Sequence, residues 1–222
     1  MNKLTFANID NNGISSFGHY ALPAASTLLS DQFRSAASSG APASDLGILN
    51  SGTYNTTNLT INASNIGQDA SNKGKSIIII ASGTVNIVGD INYKAQGGSD
   101  VFKDPSQIPQ VVIIANQINI AGSVGQVDAW LLTTGATGAI NTCSDRAPTG
   151  PLNAGVCDNK LMVNGPVSTQ HLYLRRTGGS DITGDSAELF NLRPDAYIWA
   201  YLQASQNGKA QTVYSVELPP RF

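Results

Sequence analysis

An all-β fold, a parallel β-solenoid (β-helix) with short helical caps at both ends, is predicted by three features of the chain. The first is a phrase of the form apolar-x-apolar-x-Gly-x-apolar, which occurs at 85–91 (VNIVGDI), 118–124 (INIAGSV) and 161–167 (LMVNGPV). A weaker copy at 59–63 (LTINA) carries Ala in place of Gly. The second is a set of short apolar runs between the phrases, at 77–80, 111–115, 129–132 and 172–174. The third is an ungapped match in which residues 118–133 lie one for one over residues 161–176, so that Trp130 falls on Tyr173. Alternation with period two reads as strand, and a unit that recurs in order reads as a repeat architecture. Each coil is expected to place one phrase and one run in two long sheets, with the fixed Gly marking a bend that has no room for a side chain. An antiparallel β-sandwich is the alternative; it accounts for the alternation but not for the ungapped match.

Taken in order, residues 1–50 read as an N-terminal cap. They hold a candidate strand from Lys3 to Ala7, a turn rich in Gly and Asn, the segment Phe17-Gly18-His19-Tyr20, and a helix over 23–37 that opens on Pro23. A helix laid across the end of a solenoid covers its open strand edges. Residues 51–177 are the coils, interrupted by two polar excursions at 93–109 and 143–157, where a regular scaffold usually carries its binding functions. Residues 178–222 read as a C-terminal cap. A connection rich in Gly and Asp leads to a helix over 194–205, with Pro194 and Asp195 in its first turn and Gly208 beyond its end. Its aromatic residues Tyr197, Trp199 and Tyr201 are expected to sit on the last coil. A final strand at 212–218 (TVYSVEL) is closed by Pro219-Pro220. Its residues Thr212, Val213, Tyr214, Val216 and Leu218 form a candidate assembly strand, able to pair with an edge of its own chain or of a neighbouring molecule.

Composition narrows the function classes. Only 13% of the residues are charged and the net charge is −2, so the chain lacks the basic stripe that nucleic-acid binding requires. No apolar run approaches the ~20 residues of a membrane-spanning helix. The first residues, Met1-Asn2-Lys3-Leu4-Thr5-Phe6, lack the apolar core of a secretion signal, which leaves either an internal protein or a module of a longer exported chain.

The side chains that could carry chemistry are few. Cys143 and Cys157 are the only cysteines and flank one loop, which reads as a disulfide staple in an oxidising compartment, with free thiols as the plain alternative. A metal site would want more ligands than Asp145 and Asp158 supply. His19 and His171 stand far apart, and no nucleophile elbow, phosphate loop or zinc-protease helix is present. Solenoid polysaccharide lyases and hydrolases set several Asp on one sheet face. Here Asp90 and Asp128 are matched in the later copy by Pro166 and His171, so no carboxylate ladder forms; Asp100, Asp104, Asp181, Asp185 and Glu188 read as loop acids. No catalytic residue, metal or cofactor is therefore assigned. Tyr93, Phe102, Arg146, Arg175 and Arg176 are the candidate contacts to a ligand or partner, with Arg175 and Arg176 otherwise covering the end of a sheet with charge. Trp130 and Tyr173 suggest one aromatic column, either core or a platform for sugars.

Three pieces carry a resemblance: Phe6-Ala7-Asn8 with Phe17-Gly18-His19-Tyr20, the Ser/Ala/Gly-rich run that follows, and Asn191-Leu192-Arg193-Pro194-Asp195-Ala196-Tyr197. Together with the Val/Ile-rich repeats, this resembles the C-terminal regions of large secreted surface proteins from candidate-phyla bacteria of the Saccharibacteria type. The coils are also similar to bactofilins, cytoskeletal polymers built on a β-solenoid, although the caps and the cysteine loop depart from that pattern. The resemblance implies an extracellular or cell-surface structural module, an adhesin or a filament-forming subunit. It would associate with itself, with a larger parent chain or with a surface glycan or protein. A carbohydrate-binding or polysaccharide-degrading β-helix protein is the alternative.

Overall fold

The computed structural model describes residues 6–7, 19–20, 39–99, 101–151, 155–178 and 186–206. Near the start, β1 (Phe6–Ala7) and β2 (His19–Tyr20) form a small antiparallel pair. The body of the chain is a parallel β-solenoid of three sheets, each with five strands. In the first coil β3 (Gly52–Thr56), β4 (Leu59–Ile61) and β5 (Ser64–Ile66) make the three sides of a triangle. The second coil repeats them as β6 (Ser76–Ala81), β7 (Thr84–Ile87) and β8 (Ile91–Tyr93). The third has β9 (Gln110–Ala115), β10 (Gln117–Ile120) and β11 (Gln126–Val127), and the fourth β12 (Trp130–Thr133), β13 (Ala139–Asn141) and β14 (Leu161–Asn164). The last is β15 (Val167–Ser168), β16 (His171–Tyr173) and β17 (Glu188–Asn191).

The solenoid is as expected, but each coil has three sides rather than two. The first two Gly phrases lie over each other, Ile87 against Ile120. The third does not: Val163 pairs with Val127 and Phe190, on the third sheet. The ungapped match therefore spans one full coil plus one side. It survives because every side has the same inward-outward alternation, so a phrase shifted by one side still fits. For the same reason Trp130 and Tyr173 lie in different sheets and form no column. The run at 172–174 likewise belongs to the second sheet, beside Ile140.

Inward positions are filled by aliphatic side chains stacked from coil to coil. Ile61, Ile87 and Ile120 are in register on the second sheet, and Ile79, Ile113 and Leu131 on the first. Burying each such side chain contributes roughly 1.5–3 kcal/mol. The fixed glycines sit at corners: a Cβ on Gly89 would overlap the backbone of Ala63 one coil below, and one on Gly165 would overlap the Ala129 carbonyl. On the second and third sheets, asparagines stack outward and bond to one another, Asn119 Nδ2 to Asn86 Oδ1 at 3.0 Å and Asn191 Nδ2 to Asn164 Oδ1 at 2.9 Å.

The first sheet differs because both of its faces are covered. Its outer residues Ile78, Val112, Ile114, Trp130 and Leu132 form a second apolar cluster with Ala196, Trp199 and Ala200 of α1 (Pro194–Gln206). This is why its sequence reads as unbroken apolar runs while the other sides alternate. The helix lies along the side of the solenoid, not across its end. Its start is fixed by a hydrogen-bond chain: Trp130 Nε1 donates to Gln110 Oε1 (3.0 Å), and Gln110 Nε2 donates to Asp195 Oδ2 (2.6 Å). Arg193 Nε also donates to Asp195, at 2.9 Å. At the opposite end of the core, a 3-10 turn at Leu46–Ile48 seats the fully buried Leu46 under the first coil, where its N–H donates to Ser64 Oγ. The helix expected over 23–37 and the strand over 212–218 lie outside the described residues.

Candidate functional site

Corners, not flat faces, collect the polar side chains singled out in the sequence. Asp90 follows Gly89 at the second corner of the second coil, and its Oδ1 accepts the N–H groups of Gly125 (2.8 Å) and Gln126 (3.2 Å) from the coil above. Asp128, at the third corner of the third coil, is buried. Its Oδ2 accepts the Tyr93 N–H at 2.8 Å, its Oδ1 accepts Asn164 Nδ2 at 2.7 Å, and Gln126 Nε2 lies 3.1 Å from both oxygens. Each carboxylate is thus engaged by neighbouring coils as a corner tie. Among the described residues, no three His, Cys, Asp or Glu side chains come together in a way that would hold a metal ion.

The two excursions leave from different corners. Cys143 and Cys157 are joined in a disulfide, Cα–Cα 5.9 Å, that closes the second one. Closing a loop of this length stabilises by about 3 kcal/mol. Asp145 Oδ2 accepts the Gly122 N–H at 2.6 Å and pins the loop to the coil below. Arg146 is exposed on it.

Arg175 and Arg176, expected as surface charge, are both buried. The Arg176 guanidinium is spent on carbonyls: Nε on Thr142 (2.6 Å), Nη1 on Gly122 (2.6 Å) and Asn159 (3.2 Å), and Nη2 on Ala121 (2.7 Å). It clamps both ends of the disulfide loop to the preceding coil. Burial pulls its pKa down, opposed by the carboxylates of Glu188, Asp145 and Asp90. Arg175 Nη2 donates to the Pro151 carbonyl at 3.2 Å. Glu188, read as a loop acid, begins β17, and its Oε1 accepts the backbone N–H groups of Arg175 (2.9 Å) and Arg176 (2.7 Å).

In the first excursion Phe102 is half-buried against the core, and Tyr93 is buried where the loop departs. The Tyr93 hydroxyl accepts the Val111 N–H at 2.8 Å, and the Arg193 guanidinium lies 5.3 Å from its ring centre. Burial pushes the phenol well above its ordinary pKa. Of the candidate contacts, Tyr93, Arg175 and Arg176 are thus buried and hydrogen-bonded within the fold, Phe102 is half-buried and Arg146 is exposed. Asp104, on the same loop, is exposed and turns back to accept the Ser106 N–H at 2.7 Å; hydrogen bonds from Ser106 hold its carboxyl below the usual range.

One apolar groove was not foreseen. It is a groove of about 940 Å³ between α1 and the last coil, floored by Trp130, Leu132 and Gly165–Pro166–Val167–Ser168–Thr169 and walled by Ala196, Tyr197 and Ala200. Leu172, Phe190 and Leu192 also line it, and none of its lining residues among the described ones is charged. Tyr197 is 62% exposed and Leu192 54%, large fractions for apolar side chains in so regular a scaffold. A smaller polar cavity of about 290 Å³ separates the loops that follow β5 and β8. Sequence patterning misses the groove because its walls come from segments far apart in the chain. The one signal available was the aromatic content of the 194–205 helix.

No family model, curated protein or solved structure matches the chain.

Proposed function

We propose that the protein is a non-catalytic structural module of the cell surface, an adhesin or filament-forming subunit. In this reading it is a stiff β-solenoid that holds the 93–109 and 143–157 loops at fixed places along its length. The observation that carries the reading is the use made of the polar side chains. Asp90, Asp128, Arg175, Arg176 and Glu188 are each bonded to the backbone of a corner or loop, so the groups that resembled chemistry act as joints. A reaction centre instead needs groups aimed at a space where substrate can sit. The Cys143–Cys157 disulfide supports an oxidising, extracellular setting. Among the described residues, no helix is long and apolar enough to cross a membrane.

The test is incubation of the full chain with a panel of neutral and acidic polysaccharides, scored for new reducing ends and unsaturated products. No product is expected. Product formation that disappears in Asp90→Asn or Asp128→Asn, with folding retained, would replace this reading with the polysaccharide-degrading one.

A further inference from the structure

The first sheet buries its outer face under α1, but the outer face of the second sheet meets solvent: Gln117 and His171 are exposed, and Asn119, Ala139 and Tyr173 are half-buried. Strand register arranges this face in two rows that cross the last three coils, one of Gln117, Ala139 and His171, the other of Asn119, Asn141 and Tyr173. Adjacent strands lie about 4.8 Å apart, so Gln117 and His171 stand ~10 Å from each other with Ala139 between them. Ala139 carries only a methyl group. Asn141, the middle of the other row, is buried and engaged by the disulfide loop: its Nδ2 donates to the Arg146 carbonyl at 3.4 Å, and its Oδ1 accepts the Cys143 N–H at 3.2 Å. The face is therefore low along the fourth coil and higher on both sides, a trough one coil wide.

The walls of the trough differ in chemistry. On one side the rings of His171 and Tyr173 stand 6.3 Å apart, centre to centre, with their planes 15° from parallel. On the other side are the amides of Gln117 and Asn119. Asn119 Nδ2 donates to Asn86 Oδ1 at 3.0 Å, which carries the amide row on to the second coil. Aromatic faces take C–H groups, and a side-chain amide offers both a donor and an acceptor, as a hydroxyl does. A sugar ring presents both at once, C–H bonds on its faces and hydroxyls around its rim. Neither row contains Asp, Glu, Lys or Arg, so the match is to an uncharged saccharide.

We propose that this trough binds a neutral oligosaccharide, one sugar ring lying against His171 and Tyr173 with its hydroxyls bonded to Gln117 and Asn119. The chain of sugars then follows the amide row towards Asn86, along the solenoid axis. The site rests on the adhesin reading and supplies the class of partner that the module holds; the 143–157 loop borders it through Asn141.

The test is saturation-transfer NMR and calorimetry on the full chain, with cellohexaose, maltohexaose, mannohexaose and chitohexaose as neutral probes and oligogalacturonate as an acidic one. At least one neutral probe is expected to bind. His171→Ala and Tyr173→Ala should each weaken that binding about tenfold, the equivalent of one aromatic contact. Ala139→Gln fills the trough with a side chain the same row already carries, and should abolish binding while the chain still unfolds at the wild-type temperature. Failure of every neutral probe to bind would overturn the proposal, as would binding confined to oligogalacturonate. Binding that survives both Ala139→Gln and His171→Ala would overturn it as well. The non-catalytic reading fails separately, on product formation lost in Asp90→Asn or Asp128→Asn.

Discussion

Replacing Asp128 separates a joint from a catalyst more sharply than any other change. The residue is 3% exposed, and its carboxylate receives three donors: the Tyr93 N–H, the Asn164 amide and the Gln126 amide. Asp128→Ala leaves the Tyr93 N–H buried without a partner, a penalty of about 1–3 kcal/mol, and removes charge-assisted bonds to two further amides. Release of a desolvated charge offsets part of this, so the expected loss is about 3 kcal/mol. Asp128→Asn behaves differently. Its remaining oxygen still accepts the Tyr93 N–H, and its new NH₂ meets Asn164. Asn164 must then turn its amide to accept, and Asn191, which donates to Asn164 at 2.9 Å, turns in the same sense. The ladder reverses polarity and keeps its bonds, at a cost of about 1 kcal/mol for the lost charge assistance. Urea unfolding of the full chain, followed by tryptophan fluorescence, measures both values, provided the denaturant slope is unchanged. An Asp128→Ala chain within about 0.5 kcal/mol of wild type would refute the reasoning, as would Asp128→Asn matching the alanine variant in damage.

Two further outcomes are expected. Below the ordinary phenol pKa of 10.0, Tyr93 is protonated in folded and unfolded chains alike; above it the unfolded chain ionises first, because burial raises the folded pKa. The stability contributed by Tyr93 is therefore complete below pH 10 and lost above it, at about 1.4 kcal/mol per pH unit. Tyr93→Phe should lack this alkaline component and be about 1–3 kcal/mol less stable at neutral pH, because the buried Val111 N–H loses its acceptor; an identical alkaline slope in wild type and Tyr93→Phe would show that the phenol is not the group responsible. Arg176→Met strands carbonyls of Ala121, Gly122, Thr142 and Asn159 and should cost about 3–5 kcal/mol. Arg176→Lys recovers only part, since a single ammonium cannot reach all four; thermal unfolding of both variants reads the difference, and a lysine variant equal to wild type would contradict the clamp.

How far the candidate sites were legible follows from what each residue's neighbours are. Cys143 and Cys157 declared themselves because both partners flank one loop, and the disulfide forms there. The work of Asp90 and Asp128 as corner ties depends on N–H groups one coil away, which no local pattern marks. Arg175 and Arg176 were read as surface charge because two adjacent arginines are usually solvated. Instead, the disulfide loop and the preceding corner turn their carbonyls towards these side chains. Tyr93 misled in the same way: a polar loop begins at this residue, yet its ring is covered by Arg193, from a distant part of the chain.

Period-two alternation, the recurring phrase and its corner glycine were enough to specify a parallel solenoid, because each is a local requirement: apolar in, polar out, and no side chain where coils touch. The number of sides was not specified, since all sides of a coil obey the same rule and a phrase displaced by one side satisfies it equally well. That number was decided when the corners closed around a core that aliphatic side chains from three sheets could fill. The helix's seat on the first sheet and the groove beside it were decided there too, because both depend on the outward residues of distant coils coming together on one face.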